Sequence, residues 1–215
     1  MMEFMELYDN KYVRSLIQLV PFGSAADVLI KETIDEINKD RLRVFFNKLE
    51  VGNIQLTEEI IKNEDFLHNY FATIRIVINT RRREKIELFG NLFNRAVVQN
   101  FINSFDKYNF YLTILDDLTL KEINILHKLY RLECKTQPKD KSRNERLIAN
   151  KGIWEEFKQN MQEDMNIIKN CLEEELIRIE RTGCLYIPRV TINDFRSYSA
   201  VTTEIYSKLK DLIVS

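Results

Sequence analysis

A chain of 215 residues is long enough to bury a hydrophobic core without disulfides or a structural metal, as one large domain or two small ones. Gly (5) and Pro (3) are scarce while 45% of residues are apolar and 30% charged, which disfavours turn-rich β-sandwiches and glycine-rich nucleotide folds and points to helices. The formal net charge of -1 supplies no global field toward nucleic acid or an anionic membrane, so any such contact has to be local.

In chain order, the stretch Leu16 to Ile30, LIQLVPFGSAADVLI, joins two short apolar runs through Pro21-Phe22-Gly23-Ser24. The Pro and Gly break a helix, and Ser24 is placed to cap the next one. Both arms lack the Lys/Arg-rich face of an interfacial helix, so buried helix-turn-helix packing is favoured over a membrane-touching hairpin. Ala26, Leu29, Ile30, Ile34, Ile37, Leu42, Phe45 and Leu49 then recur at helical spacing, and Gly52-Asn53 ends that helix. Thr57 with Glu58 and Glu59 begins another, which continues through Phe66 to Ile78. After the basic run Arg81-Arg82-Arg83, the segment Lys85 to Ile102 places Ile86, Phe89, Leu92, Phe93, Ala96, Val97 and Phe101 on one face.

Around Tyr108 to Leu118 the character changes, and Thr119-Leu120-Lys121-Glu122 supplies a capping box for a helix with the inward stripe Ile123, Leu126, Leu129 and Tyr130. The domain boundary is set just before it, giving domains 1–117 and 118–215. Lys135 to Lys151 is basic, contains Pro138 and lacks apolar periodicity until Leu147, which predicts an exposed loop. From Ile153 to Arg181 one long helix is predicted by the spacing of Trp154, Phe157, Met161, Met165, Ile168, Leu172, Leu176 and Ile179, with Thr182-Gly183 as its stop. CLYIPRV and Arg196 to Val201 flank the polar turn Thr191 to Asp194 and suit a small hairpin, after which Thr202 or Thr203 caps a last helix ending near Ile213. The predicted fold is mostly α: an N-terminal helical bundle followed by a C-terminal part with a small β-hairpin.

The segments TLKEINILHKLYRL, LEEELIRIERTGCLYI and YSAVTTEIYSKLKDLI, taken in that order, resemble the helix, helix-to-strand junction and strand-to-helix finish of a winged-helix module over about residues 118 to 213. Pro21, Gly23, Ser24 and Asp27, followed later by Lys85, Ile86 and Phe89, are similar to a group of uncharacterised bacterial helical proteins. The first resemblance implies a winged-helix-like domain, and neither implies a chemistry.

No catalytic motif is legible. His68 and His127 are the only histidines, neither lies in a motif, and GxSxG, GxxxxGK and HExxH are all missing. Cys134, Cys171 and Cys184 are far apart, which suits a reduced, cytoplasmic setting and no metal site. Glu173-Glu174-Glu175 fans around its helix, so solvation is favoured over metal binding. No cofactor, metal site or catalytic residue is expected, no signal peptide is recognised, and no run reaches the roughly 18 apolar residues of a membrane span.

Two contact surfaces remain. Lys135, Lys139, Lys141 and Arg143, with Arg189 and Arg196 near the hairpin, form the candidate nucleic-acid or anion surface. Met161, Met165, Ile168 and Leu172 form the candidate protein interface. A DNA-reading helix should offer Arg, Lys, Asn or Gln, yet this one reads LEEELIRIER, so a protein partner or self-association is favoured. The reading is a non-enzymatic interaction or scaffold protein, with a nucleic-acid-binding regulator as the alternative.

Overall fold

In the computed structural model the described residues are 28–52, 60, 62–136, 142–167, 169–188 and 199–214. They form eight helices, α1 (Val28–Val51), α2 (Glu64–Asn79), α3 (Arg83–Val98), α4 (Phe105–Asp117), α5 (Leu120–Thr136), α6 (Arg143–Met165), α7 (Lys169–Arg181) and α8 (Glu204–Ile213), and a two-stranded antiparallel sheet, β1 (Leu185–Tyr186) with β2 (Val201–Thr202). The chain divides into two units, residues 1–116 with 212–215 and residues 117–211. Among the described residues no helix is long and apolar enough to cross a membrane.

In the first unit α1 packs most extensively on α3, and Gly90 permits it: a Cβ there would lie 2.8 Å from Lys48 Cβ, so only glycine lets the two helices approach this closely. The Asn94 side chain donates to the Lys48 carbonyl at 2.8 Å, an acceptor in the last turn of α1 that it shares with Gly52 N at 3.2 Å. Phe93 is the hub of the core. The rings of Phe45, Phe66, Tyr70 and Tyr108 meet it edge-on at 5.9, 5.9, 6.2 and 6.0 Å, each pair adding about 0.5–1.5 kcal/mol beyond burial. Tyr108 and Thr73 join their hydroxyls at 2.7 Å inside this core.

Several boundaries differ from the sequence expectation. The start at Thr57 and the cap at Ser24 lie outside the described residues, while α2 is capped by Asn63, whose side chain accepts from Phe66 N at 2.9 Å. α3 ends at Val98 rather than Ile102, because Asn100 turns left-handed (φ 55°) and closes a Schellman motif: Phe101 N returns to Ala96 O at 2.9 Å and Asn100 N to Val97 O at 3.0 Å. Phe101 and Ile102 are buried all the same, carried inward by the turn. The stretch from Tyr108 is helical, with Tyr108, Tyr111, Leu112 and Leu115 buried at helical spacing.

The second unit runs helix, helix, helix, strand, strand, helix. The Thr119–Glu122 capping box forms: Glu122 Oε2 accepts from Thr119 N at 2.7 Å, and Thr119 Oγ1 accepts from Glu122 N at 3.2 Å. The expected loop from Lys135 to Lys151 is corrected. Lys135 lies in the last turn of α5, residues 137–141 lie outside the described set, and α6 already runs from Arg143, because Ser142 and Glu145 form a second capping box. The single helix expected from Ile153 to Arg181 is two. Asn166 turns left-handed (φ 52°) after Met165, its N–H returns to Met161 O, and α7 starts afresh at Lys169.

Gly183 (φ 74°) follows α7 as expected and sends the chain into β1, whose Leu185 and Tyr186 pair with Thr202 and Val201. The turn Thr191 to Asp194 lies outside the described residues. Thr203 caps α8, accepting from Tyr206 N at 3.3 Å while donating to Gly183 O at 2.7 Å.

Candidate functional site

The strongest polar constellation is buried in the second unit around Glu133, which is 3% exposed on the inner face of α5. Its Oε1 accepts from Asn150 Nδ2 at 2.8 Å and Thr202 N at 3.0 Å, and its Oε2 accepts from Arg146 Nη2 at 2.7 Å and from the Thr202 hydroxyl. Asn150 also reaches Ala200 O at 2.6 Å, and Ser199 reaches Leu147 O at 3.2 Å. Arg146 and Asn150 are one turn apart on α6, so a single helix face supplies both. The arrangement saturates the carboxylate with donors and leaves no lone pair turned toward a cavity. It anchors segment 199–202 to α5 and α6, a structural task that the sequence reading missed. Among the described residues no group of His, Cys, Asp and Glu comes together in a way that could hold a metal ion.

Of the candidate anion contacts, Lys135 and Arg143 are exposed at the end of α5 and the start of α6. The Arg143 guanidinium lies 4.8 Å from the Tyr186 ring centroid, a cation–π contact that fixes its direction on β1. Lys139, Lys141, Arg189 and Arg196 lie outside the described residues. The candidate protein interface divides differently. Met161 (0% exposed) and Leu172 (2%) are in the core of the second unit, Met165 is half-buried, and Ile168 lies outside the described residues. An apolar stripe reads the same whether its own chain or a partner covers it, and here its own chain covers those two.

The outer face of α7 is polar and exposed at Glu173, Glu174, Arg178 and Arg181, with Ile177 52% exposed among them. Arg178 is engaged by the buried Glu122 at 3.4 Å and by Glu175 at 3.7 Å, and Lys121 holds Glu175 at 2.8 Å. His127 is half-buried on α5, and its pKa is lowered by burial first and then by the charges of Arg131 and Lys210. In the first unit a shallow groove of about 410 Å³ is lined by Arg41, Arg81 and Arg83 with Glu36 and Asp40. Its cations are largely spoken for: Arg83 grips Asp40 through both carboxylate oxygens at 2.7 and 2.8 Å, and Arg41 donates to Ile78 O.

Comparison with protein-family models, curated proteins and solved structures found no match.

Proposed function

We propose that the chain is a non-enzymatic interaction protein whose C-terminal, winged-helix-like module meets protein rather than reading nucleic acid. The element order of the second unit, three helices, an antiparallel strand pair and a closing helix, supports the module reading. The outer face of α7 carries the functional one. Arg178 is committed to Glu122 and Glu175, whereas Glu173 and Glu174 stand exposed beside Ile177. Phosphate approaching that face meets exposed carboxylates, while a protein partner finds one apolar anchor in a charged rim. The three unpaired thiols fit a reducing setting, and we place the protein in the cytoplasm.

The test is retention of duplex DNA by the purified chain at low salt. No retention is expected. Retention that falls steeply as salt rises, and is lost when Lys135 and Arg143 are both changed to Ala, overturns the reading in favour of the second one, a nucleic-acid-binding regulator. That second reading draws on one observation, the exposed Lys135 and the Tyr186-stacked Arg143 at neighbouring helix ends.

A further inference from the structure

Three of the described glycines have a cause inside the chain. A Cβ at Gly90 would lie 2.8 Å from Lys48 Cβ, one at Gly52 would lie 2.2 Å from Asn94 Nδ2, and Gly183 holds a φ of +74°. Gly152 has no such cause. It sits inside α6, is exposed, and a Cβ built on it meets nothing within 4 Å. Glycine is the least favourable helical residue after proline, so a glycine that its own fold does not require weakens the helix without return.

The surroundings of Gly152 suggest what does require it. At 100° per residue, Ile148, Lys151, Gly152, Glu155 and Gln159 share the face of α6 opposite the buried Asn150, Ile153, Trp154, Phe157 and Met161. Ile148, one turn before the glycine, is 69% exposed. Lys151 is exposed and precedes Gly152, whereas Glu155, its side chain 83% exposed and paired with Lys158 of its own helix, follows it.

We propose that this face binds a second copy of the chain, α6 crossing α6 antiparallel about a two-fold axis near Gly152. The missing Cβ lets the two backbones approach at the axis, and Ile148 of each copy lies over the aliphatic stems of Glu155 and Gln159 of the other. The two-fold sets Lys151 of each protomer beside Glu155 of its partner, one turn or less along the axis, so one patch supplies both halves of two complementary pairs. A parallel pairing would stack Lys151 on Lys151 and Glu155 on Glu155. A single helix pair buries less than a permanent dimer interface, so the association is reversible and concentration-dependent.

This pairing rests on the interaction reading above, and its test is separate. Sedimentation velocity of the full chain over a concentration series should show a monomer–dimer equilibrium. Gly152→Leu and Ile148→Glu should each weaken it roughly tenfold or more. Lys151→Glu should weaken it too, and adding Glu155→Lys in the same chain should restore it. Gly152 is exposed with open space around it, so Gly152→Leu should raise helicity by circular dichroism, which separates loss of pairing from loss of folding. A monomer at every concentration overturns the pairing. So does a dimer indifferent to Gly152→Leu and Ile148→Glu, an outcome that leaves the interaction reading standing on another face, whereas the DNA experiment bears on that reading alone.

Discussion

Glu133 sits where an ionisable side chain is costly, and four donors from α6 and β2 make it tolerable. Glu133→Ala removes the shared carboxylate from Arg146, Asn150 and Thr202 at once, and the cost expected from breaking a buried pair is about 3–5 kcal/mol, read as a lower urea midpoint with an unchanged slope. A loss under about 1 kcal/mol would show that water replaces the carboxylate without penalty. The thiols make a second test at this scale. Cys134 and Cys171 are exposed, while Cys184 is buried with its pKa pushed up to about 11, chiefly by burial. Two thiols of the native chain should therefore react with a disulfide reagent at neutral pH and the third only on unfolding. Prompt reaction of all three would contradict the burial of Cys184.

At the scale of elements, what could be read from the sequence was whatever a local signal specifies. The Thr119–Glu122 box, the Gly183 stop and the cap open to Thr202 or Thr203 each act within a few residues of themselves, and each forms, the cap at Thr203. The misses share a physical cause. Asn100 and Asn166 end helices by entering the left-handed region, a choice that apolar spacing does not register, since the stripe continues through Phe101 and Leu172 across the break. The Ser142–Glu145 box was legible and lay hidden in a run judged by its charge. For the candidate surfaces, spacing identified Met161 and Leu172 as apolar-face residues but held no information on which chain covers them. Asn166→Ala should be about 1–2 kcal/mol less stable than Asn166→Gly by thermal unfolding, because Ala keeps the Cβ at positive φ that Asn already carries but loses the polar side chain that eases it, whereas Gly has no Cβ there. Equal effects of the two would mean that the Asn side chain, rather than its backbone, makes the break between α6 and α7.

For the molecule as a whole the alkaline limb of stability is set by buried phenols. Tyr70, Tyr108 and Tyr206 have pKa values raised by burial, opposed at Tyr108 by its bond to Thr73 and reinforced at Tyr206 by Cys184, Tyr130 and Glu133. The unfolded chain releases these protons near pH 10 (about the ordinary phenol value) while the folded chain keeps them. Their contribution is therefore complete below that pH and is lost as pH rises above it. The urea midpoint should hold steady up to about pH 9 and then fall, and absorbance at 295 nm should show these phenols ionising only with unfolding. His127 acts on the other limb. Its lowered pKa favours the neutral ring in the folded state, so stability present above about pH 6.5 declines as pH falls through the folded value, and His127→Gln should flatten that decline.

The bond from Thr202 to Glu133 spans 69 residues, and it fixes an order of events during synthesis. When α5 and α6 leave the ribosome, the Glu133 carboxylate can recruit Arg146 and Asn150 but not the amide and hydroxyl that complete its shell. It must stay hydrated until Thr202 emerges, because a half-partnered carboxylate resists transfer from water. The α5–α6 pair is thus held open from the emergence of α6 until that of Thr202, so a nascent chain displayed only as far as residue 198 should be cleaved by protease within α5 or α6, while one displayed past Thr202 should resist there.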